Sequence, residues 1–160
     1  MSYYSNIDYD DFFQTTATHL QRKLPAELRH FTTRRRSTDN WIVVEYPNIK
    51  YSQYELHLSH SSSKHAEYFG KGPHVVIAFY YQTVLGDSDA WLEALTPHVK
   101  IIEEQLYKRV VIGPWSENWV WIAESLDEEY LTPDDISCFF AQFIQATYRP
   151  ITLAFQAISR

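Results

Sequence analysis

One stretch constrains this chain more than any other: His74 to Gln82 reads HVVIAFYYQ and is almost devoid of polarity. Taken as a strand, it sends Val75, Ile77, Phe79 and Tyr81 to one side and Val76, Ala78 and Tyr80 to the other, because successive side chains alternate across the pleat. A strand that is apolar on both sides must be covered on both sides, which makes it central to its sheet. A helical segment and a second, tryptophan-rich strand complete a unit that ends near Ile122. The rest of the chain reads as what covers this unit.

The surrounding elements follow from periodicity and punctuation. Asp8 to Lys23 predicts an amphipathic helix, with Phe12, Phe13, Thr16, His19 and Leu20 at helical spacing. Asp8, Asp10 and Asp11 open it and Arg22 and Lys23 close it, the order the helix dipole favours. Pro25 ends it or begins a short turn through Leu28. Residues 29–40 (RHFTTRRRSTDN) read as a polar connector. Trp41–Tyr46 and Tyr51–Ser59 predict an antiparallel hairpin across the Pro47-Asn48 turn, with a connection of about four residues. Its second strand alternates Tyr54, Leu56 and Leu58 with Gln53, Glu55 and His57. Residues 60–73 (HSSSKHAEYFGKGP) predict an exposed loop containing one helical turn.

Beyond the central strand, Asp87 or Ser88 caps a helix whose apolar stripe is Trp91, Leu95, Val99, Ile102 and Leu106. Pro97 either kinks that helix or opens a second one capped by Thr96. Val110–Ile112 and Trp119–Ile122 predict two short strands around a Gly113-Pro114 break. Thr132-Pro133-Asp134-Asp135 is a helix start built of a cap, a proline and two acids. Pro150 should bend or split the helix that follows.

Together these elements predict an α+β fold: a mixed or antiparallel sheet of four to five strands with helices over one face. The chain reads as a single domain over residues 1–160, with an N-terminal helical region at 1–30 and the sheet and its covering helices at 41–160. A chain of 160 residues buries about two thirds of its unfolded surface, enough for a core without staples. Hydrophobic residues at 45% and aromatics at 16% exclude a disordered composition. A lone cysteine allows no intramolecular disulfide and fits a reducing cytoplasm. No stretch approaches about 18 apolar residues, so no membrane span is expected. The opening MSYYSNIDYDDFF lacks the basic and apolar regions of a secretory signal.

Charge is unevenly spread, with a net of +1 over residues 1–50 and −7 over residues 51–160. Only the N-terminal part offers a basic surface. Arg34, Arg35 and Arg36 sit there in succession and could neutralise phosphates. Tyr46, Tyr51 and Trp115, with Tyr54 and Trp119, could stack on bases. Arg34, Arg35, Arg36, Tyr46, Tyr51 and Trp115 are therefore the candidate binding residues, set against the plainer reading of a solvated loop and core aromatics.

Catalytic patterns are sparse. Gly70-Lys71-Gly72 lacks the spacing and the following helix of a phosphate-binding loop, and no G-x-S-x-G elbow is present. Cys138, beside Phe139 and Phe140, reads as a buried, inert thiol. His57, His60, His65 and His74 are close in sequence, but His57 and His60 face opposite ways on a strand and no cysteine pair supports them. The expectation is solvated loop histidines, with no metal and no cofactor. No acid is followed two positions later by lysine, the pair a metal-dependent nuclease presents. Glu45 and Glu55 on neighbouring strands, with Lys50 between them, keep a small degenerate nuclease as the rival reading.

The order of elements carries a resemblance. A strand of alternating polarity precedes His74–Gln82, and the next helix ends in Ile101-Ile102-Glu103-Glu104-Gln105-Leu106. A short aromatic strand with Trp119 and Trp121 follows, and a helix broken at Tyr148-Arg149-Pro150 closes the chain. Over residues 38–158 this resembles a bacterial domain family of unknown function often appended to restriction-type and other nuclease proteins. The resemblance implies a bacterial cytoplasmic protein linked to DNA modification or phage defence, and it carries over no catalytic residue. The expected function is a non-enzymatic binding or interaction module with a protein partner, weak nucleic-acid contact at the arginine run, and no membrane association.

Overall fold

The computed structural model describes residues 9–28, 33–36, 39–47, 49–59, 63–70, 74–83, 86–126 and 132–158. Among these residues the strands are β1 (Thr33–Arg36), β2 (Asp39–Glu45), β3 (Ser52–Ser59), β4 (His74–Gln82), β5 (Val111–Ser116) and β6 (Trp119–Leu126). The helices are α1 (Tyr9–Lys23), α2 (Ser63–Phe69), α3 (Ser88–Leu95), α4 (Val99–Leu106) and α5 (Pro133–Ile158). The strands form one antiparallel sheet in the order β1-β2-β3-β4-β6-β5. Strand β4 lies inside it, and every residue from Val75 to Tyr80 is at most 4% exposed.

The two faces of β4 enter two separate cores. On the helical face, Val75, Ile77 and Phe79 join Ile42, Val44, Tyr54, Leu56, Val120 and Ile122 under α1, α3, α4 and α5. On the outer face, Val76, Ala78 and Tyr80 pack with Trp121 and Ala123. The period-2 alternation of three neighbouring strands produces this separation. The Phe79 ring lies 5.1 Å from Tyr54, 5.6 Å from Tyr46 and 5.9 Å from Trp91, each between ring centroids. Hydroxyls fasten the sheet to α5: Tyr54 Oη lies 2.9 Å from Thr147 Oγ1, and Tyr46 Oη bonds Thr152 Oγ1.

Helix α5 begins as its sequence predicts. Thr132 Oγ1 accepts from the Asp135 N–H at 3.1 Å, and the Asp135 carboxylate accepts from the Thr132 N–H at 3.0 Å. This reciprocal pair satisfies amides that a helix N-terminus otherwise leaves without acceptors. Helix α1 is tied to the same end, because Lys23 Nζ donates to the Asp134 carboxylate and to Ser137 Oγ. The hydrogen bond from Lys23, with its charge, holds the Asp134 carboxyl below the usual carboxylate range.

Several local expectations are corrected by tertiary packing. The sheet has six strands rather than four to five, because part of the expected connector pairs as an edge strand: Thr33 with Val44, Arg34 with Val43 and Arg36 with Asp39. Backbone pairing is indifferent to side-chain charge, and charged edge strands resist further pairing. Where one helical turn within an exposed loop is expected, residues 63–69 form a seven-residue helix, and it covers the face opposite the other four helices. Gly113 and Pro114 do not break β5; they pair with Trp121 and Val120, and proline is tolerated because β5 is an edge.

Pro97 marks two separate helices joined by a 3-10 turn, Thr96–His98, and Thr96 Oγ1 bonds back to the Leu92 carbonyl at 2.6 Å rather than capping α4. Pro150 does not split α5, whose buried residues continue from Phe140 and Phe143 to Ile151 and Phe155. Burial along the whole helix outweighs the cost of about 3 kcal/mol that proline imposes on a helix interior. Cys138 is half-buried, with the Gln142 amide 3.7 Å from its sulfur. Among the described residues, no helix is long and apolar enough to cross a membrane.

Phe79→Ala is expected to lower stability by about 3–5 kcal/mol, the usual cost of removing a fully buried phenylalanine. Chemical denaturation checks it, and a midpoint equal to the parent's would show that this strand is not the centre of the core.

Candidate functional site

The outer face of the sheet is laid out by register. Glu45, Gln53, Tyr80 and Trp121 form one cross-strand row. Val43, Glu55, Ala78 and Ala123 form the next, and His57 and Val76 lie in the row beyond. In the opposite direction Gln82 pairs with Trp119, and its N–H bonds the Tyr51 carbonyl at 2.9 Å.

Helix α2 lies over part of this face. His65, Tyr68 and Phe69 recur at i, i+3 and i+4, the spacing of one helical face. His65 stacks on Trp121 at 8° and 6.1 Å, and the Tyr68 and Phe69 rings meet Trp121 at 5.0 and 6.0 Å. Tyr68 Oη donates to the Pro114 carbonyl at 2.9 Å and ties the helix to β5. So short a helix depends on such contacts. Gly70, at φ +86°, sits just past its end, and its N–H bonds the Ala66 carbonyl.

Where α2 meets the sheet lies a polar cluster. Glu55 is 5% exposed and His65 4%. Glu55 Oε1 is 3.3 Å from His57 Nε2, and the His57 and His65 rings are 5.4 Å apart. Tyr80 is the neighbour of both groups: its ring is 6.3 Å from that of His57. Burial pushes its phenol well above the ordinary tyrosine range, and the Glu55 carboxylate pushes it further in the same direction. The expectation of solvated loop histidines therefore fails for His65. His60 lies outside the described residues. Among the described residues, no group of three His, Cys, Asp or Glu side chains is arranged to hold a metal ion.

Next to this cluster the aromatic side chains reach the surface. Trp115 and Trp119 are half-buried. Trp115 lies 4.4 Å from Trp121, 5.3 Å from His65 and 5.4 Å from Tyr80, and Trp119 lies 6.4 Å from Tyr80. No cover comparable to the four helices of the other face lies over this end of the sheet among the described residues.

The six candidate residues separate. Trp115 is on the outer face, and Tyr51, 57% exposed at φ +59°, heads β3 beside Gln82. Tyr46 is buried in the opposite core, so its ring is packing and not a stacking platform. Arg34, Arg35 and Arg36 lie on the far edge strand, and their side chains fall outside the described residues. Of the acids proposed to converge, Glu45 is exposed and Glu55 buried, one row apart. The Glu55–His57–Tyr80 neighbourhood was the missed feature. Its signal was the alternation that sets Glu55 and His57 on the face of Val76 and Tyr80.

An acid whose folded pKa exceeds its unfolded value holds its proton more tightly when folded. Its stabilising effect is full below the unfolded value, about 10 for tyrosine, and falls as pH climbs past it. Tyr80, Tyr54 and Tyr46 are all raised, by burial first. The urea midpoint is therefore expected to drop between about pH 9 and about pH 11, and to drop less in Tyr80→Phe. Equal losses in parent and variant would mean that Tyr80 titrates as an exposed phenol.

No protein-family model, curated protein or solved structure matches the chain.

Proposed function

We propose that this chain is a non-enzymatic binding or interaction module that meets a protein partner through the outer face of its sheet. The observation that carries this reading is the unequal covering of the two faces. Among the described residues, four helices close one side, whereas a seven-residue helix closes part of the other and leaves Trp115, Trp119, Gln53 and Gln82 half-buried beside exposed Tyr51. Tryptophan and tyrosine in a partly desolvated setting are the residues that most often anchor protein interfaces. The groups that a small nuclease would aim at a substrate do not converge: Glu55 is buried, His65 on α2 is packed against His57 and Trp115, and Glu45 stands exposed in the adjacent row. The resemblance of residues 38–158 supports a setting in DNA modification or phage defence.

A photo-crosslinking phenylalanine analogue in place of Tyr51, with one in place of exposed Ile101 on α4 as control, tests the surface. One protein joined at position 51 and absent at position 101 is expected, and nucleic acid as the main product at position 51 would sink the reading. A second measurement addresses the arginine run. Labelled duplex and single-stranded oligonucleotides are expected to bind weakly at low salt and to be lost at high salt. The triple change Arg34→Ala, Arg35→Ala, Arg36→Ala is expected to abolish that residue of binding. Tight binding that survives both treatments would move the functional surface to nucleic acid.

A further inference from the structure

We infer that the outer face takes a cationic side chain, a lysine or arginine on a basic segment of the partner, in the corner formed by Trp115, Tyr80 and Trp119. This rests on the interaction-module reading and specifies the ligand that module takes. The Trp115 ring stands at 80° to Tyr80 at 5.4 Å, and the Trp119 ring stands at 79° to it at 6.4 Å. Both indoles are half-buried, while Tyr80 is 4% exposed. Two half-buried indoles therefore stand nearly perpendicular to one buried phenol ring. The face of an aromatic ring carries partial negative charge and attracts a cation within about 6 Å of its centroid, tryptophan most strongly. Perpendicular rings let one ammonium or guanidinium group meet more than one such face. Trp121, 4.4 Å from Trp115 and 5.7 Å from Tyr80, backs the corner and limits its freedom to collapse.

Charge points the same way. Strands β3, β4, β5 and β6 and the turn joining the last two carry no lysine or arginine; Glu55 lies on their outer face and Glu117 in the turn, while Glu124, paired with Ile77, belongs to the helical face. Glu117 is exposed in the turn between the two indoles, and Glu55 lies close enough to Tyr80 to perturb it. Residues 51–160 as a whole carry a net of −7. A basic segment is drawn to this end of the sheet and an anionic one repelled, since surface charge selects partners by sign. The basic run of β1 stands at the other edge, separated from β6 by β2, β3 and β4.

Titration of the full isotope-labelled chain, read at the tryptophan indole N–H signals, tests the assignment. The probes are a lysine–glycine peptide, its arginine and trimethyl-lysine counterparts, a glutamate–glycine peptide, a serine–glycine peptide and tetramethylammonium chloride. The three cationic peptides are expected to shift the Trp115 and Trp119 signals and leave that of buried Trp91 unmoved. Trp119→Ala should weaken them about tenfold. Glu117→Gln, at an exposed turn position that leaves the packing intact, should weaken them about threefold and flatten their salt dependence. Equal affinity in both variants would overturn the assignment. Shifts produced only by the acidic or neutral peptide would overturn the cationic ligand and leave the module reading standing. Tetramethylammonium binding as tightly as the peptides would overturn the partner segment in favour of a free organic cation. If no probe moves the two signals, the inference falls, while the cross-link at position 51 decides the module reading on its own.

Discussion

A strand that is apolar on both sides cannot rest against water on either, and the rest of this structure depends on that constraint. Each side of β4 removes large side chains from solvent only if another layer is placed over it, at roughly 25 cal/mol for each Å² of apolar area covered. The chain meets this demand unequally. Helices α1, α3, α4 and α5 converge on one face with Phe79 near the centre of their aromatic contacts, and among the described residues α2 alone serves the other. The asymmetry gives the molecule a closed side and a side whose aromatics come to the surface.

The two sides also differ in how they treat polar groups. On the helical face, Tyr54 and Tyr46 pass through an apolar core and end on threonine hydroxyls of α5, where each phenol finds a partner. A buried hydroxyl that keeps a hydrogen bond avoids most of its desolvation cost. On the outer face, a carboxylate and two imidazoles are enclosed with a tyrosine among indoles. Such enclosed polar groups make the position of α2 depend on specific contacts rather than on apolar area alone. The aromatic corner that carries the binding inference begins where that cover stops.

Local pattern sufficed wherever one face of an element decided its fate. The burial of β4 on both sides, the hairpin of β2 and β3, the helix at Tyr9–Lys23 and the cap at Thr132 all follow from alternation, helical spacing or a single capping motif. These are short-range properties, set by side chains within a few residues of one another. Failures came where a residue carrying a strong local signal sat in an element held by distant partners. Arginines pair as a strand because β2 offers its edge, and Pro114 and Pro150 remain inside their elements because both are held by long-range contacts.

The candidate site divides along the same line. Composition and alternation alone determined that this chain would be rich in buried aromatics, that Glu55 and His57 would share a face, and that a net positive balance would be confined to its first third. Only the tertiary structure decided that Tyr46 is core while Trp115 is half-buried, since both are strand-associated aromatic residues and differ in which layer lies over them. It also decided that His65 would be carried from a polar segment onto Trp121, and that Trp115 and Trp119 would meet Tyr80 at right angles. Strand order and the placement of α2 bring these residues together from positions far apart in the chain, and no local periodicity encodes which strands become neighbours.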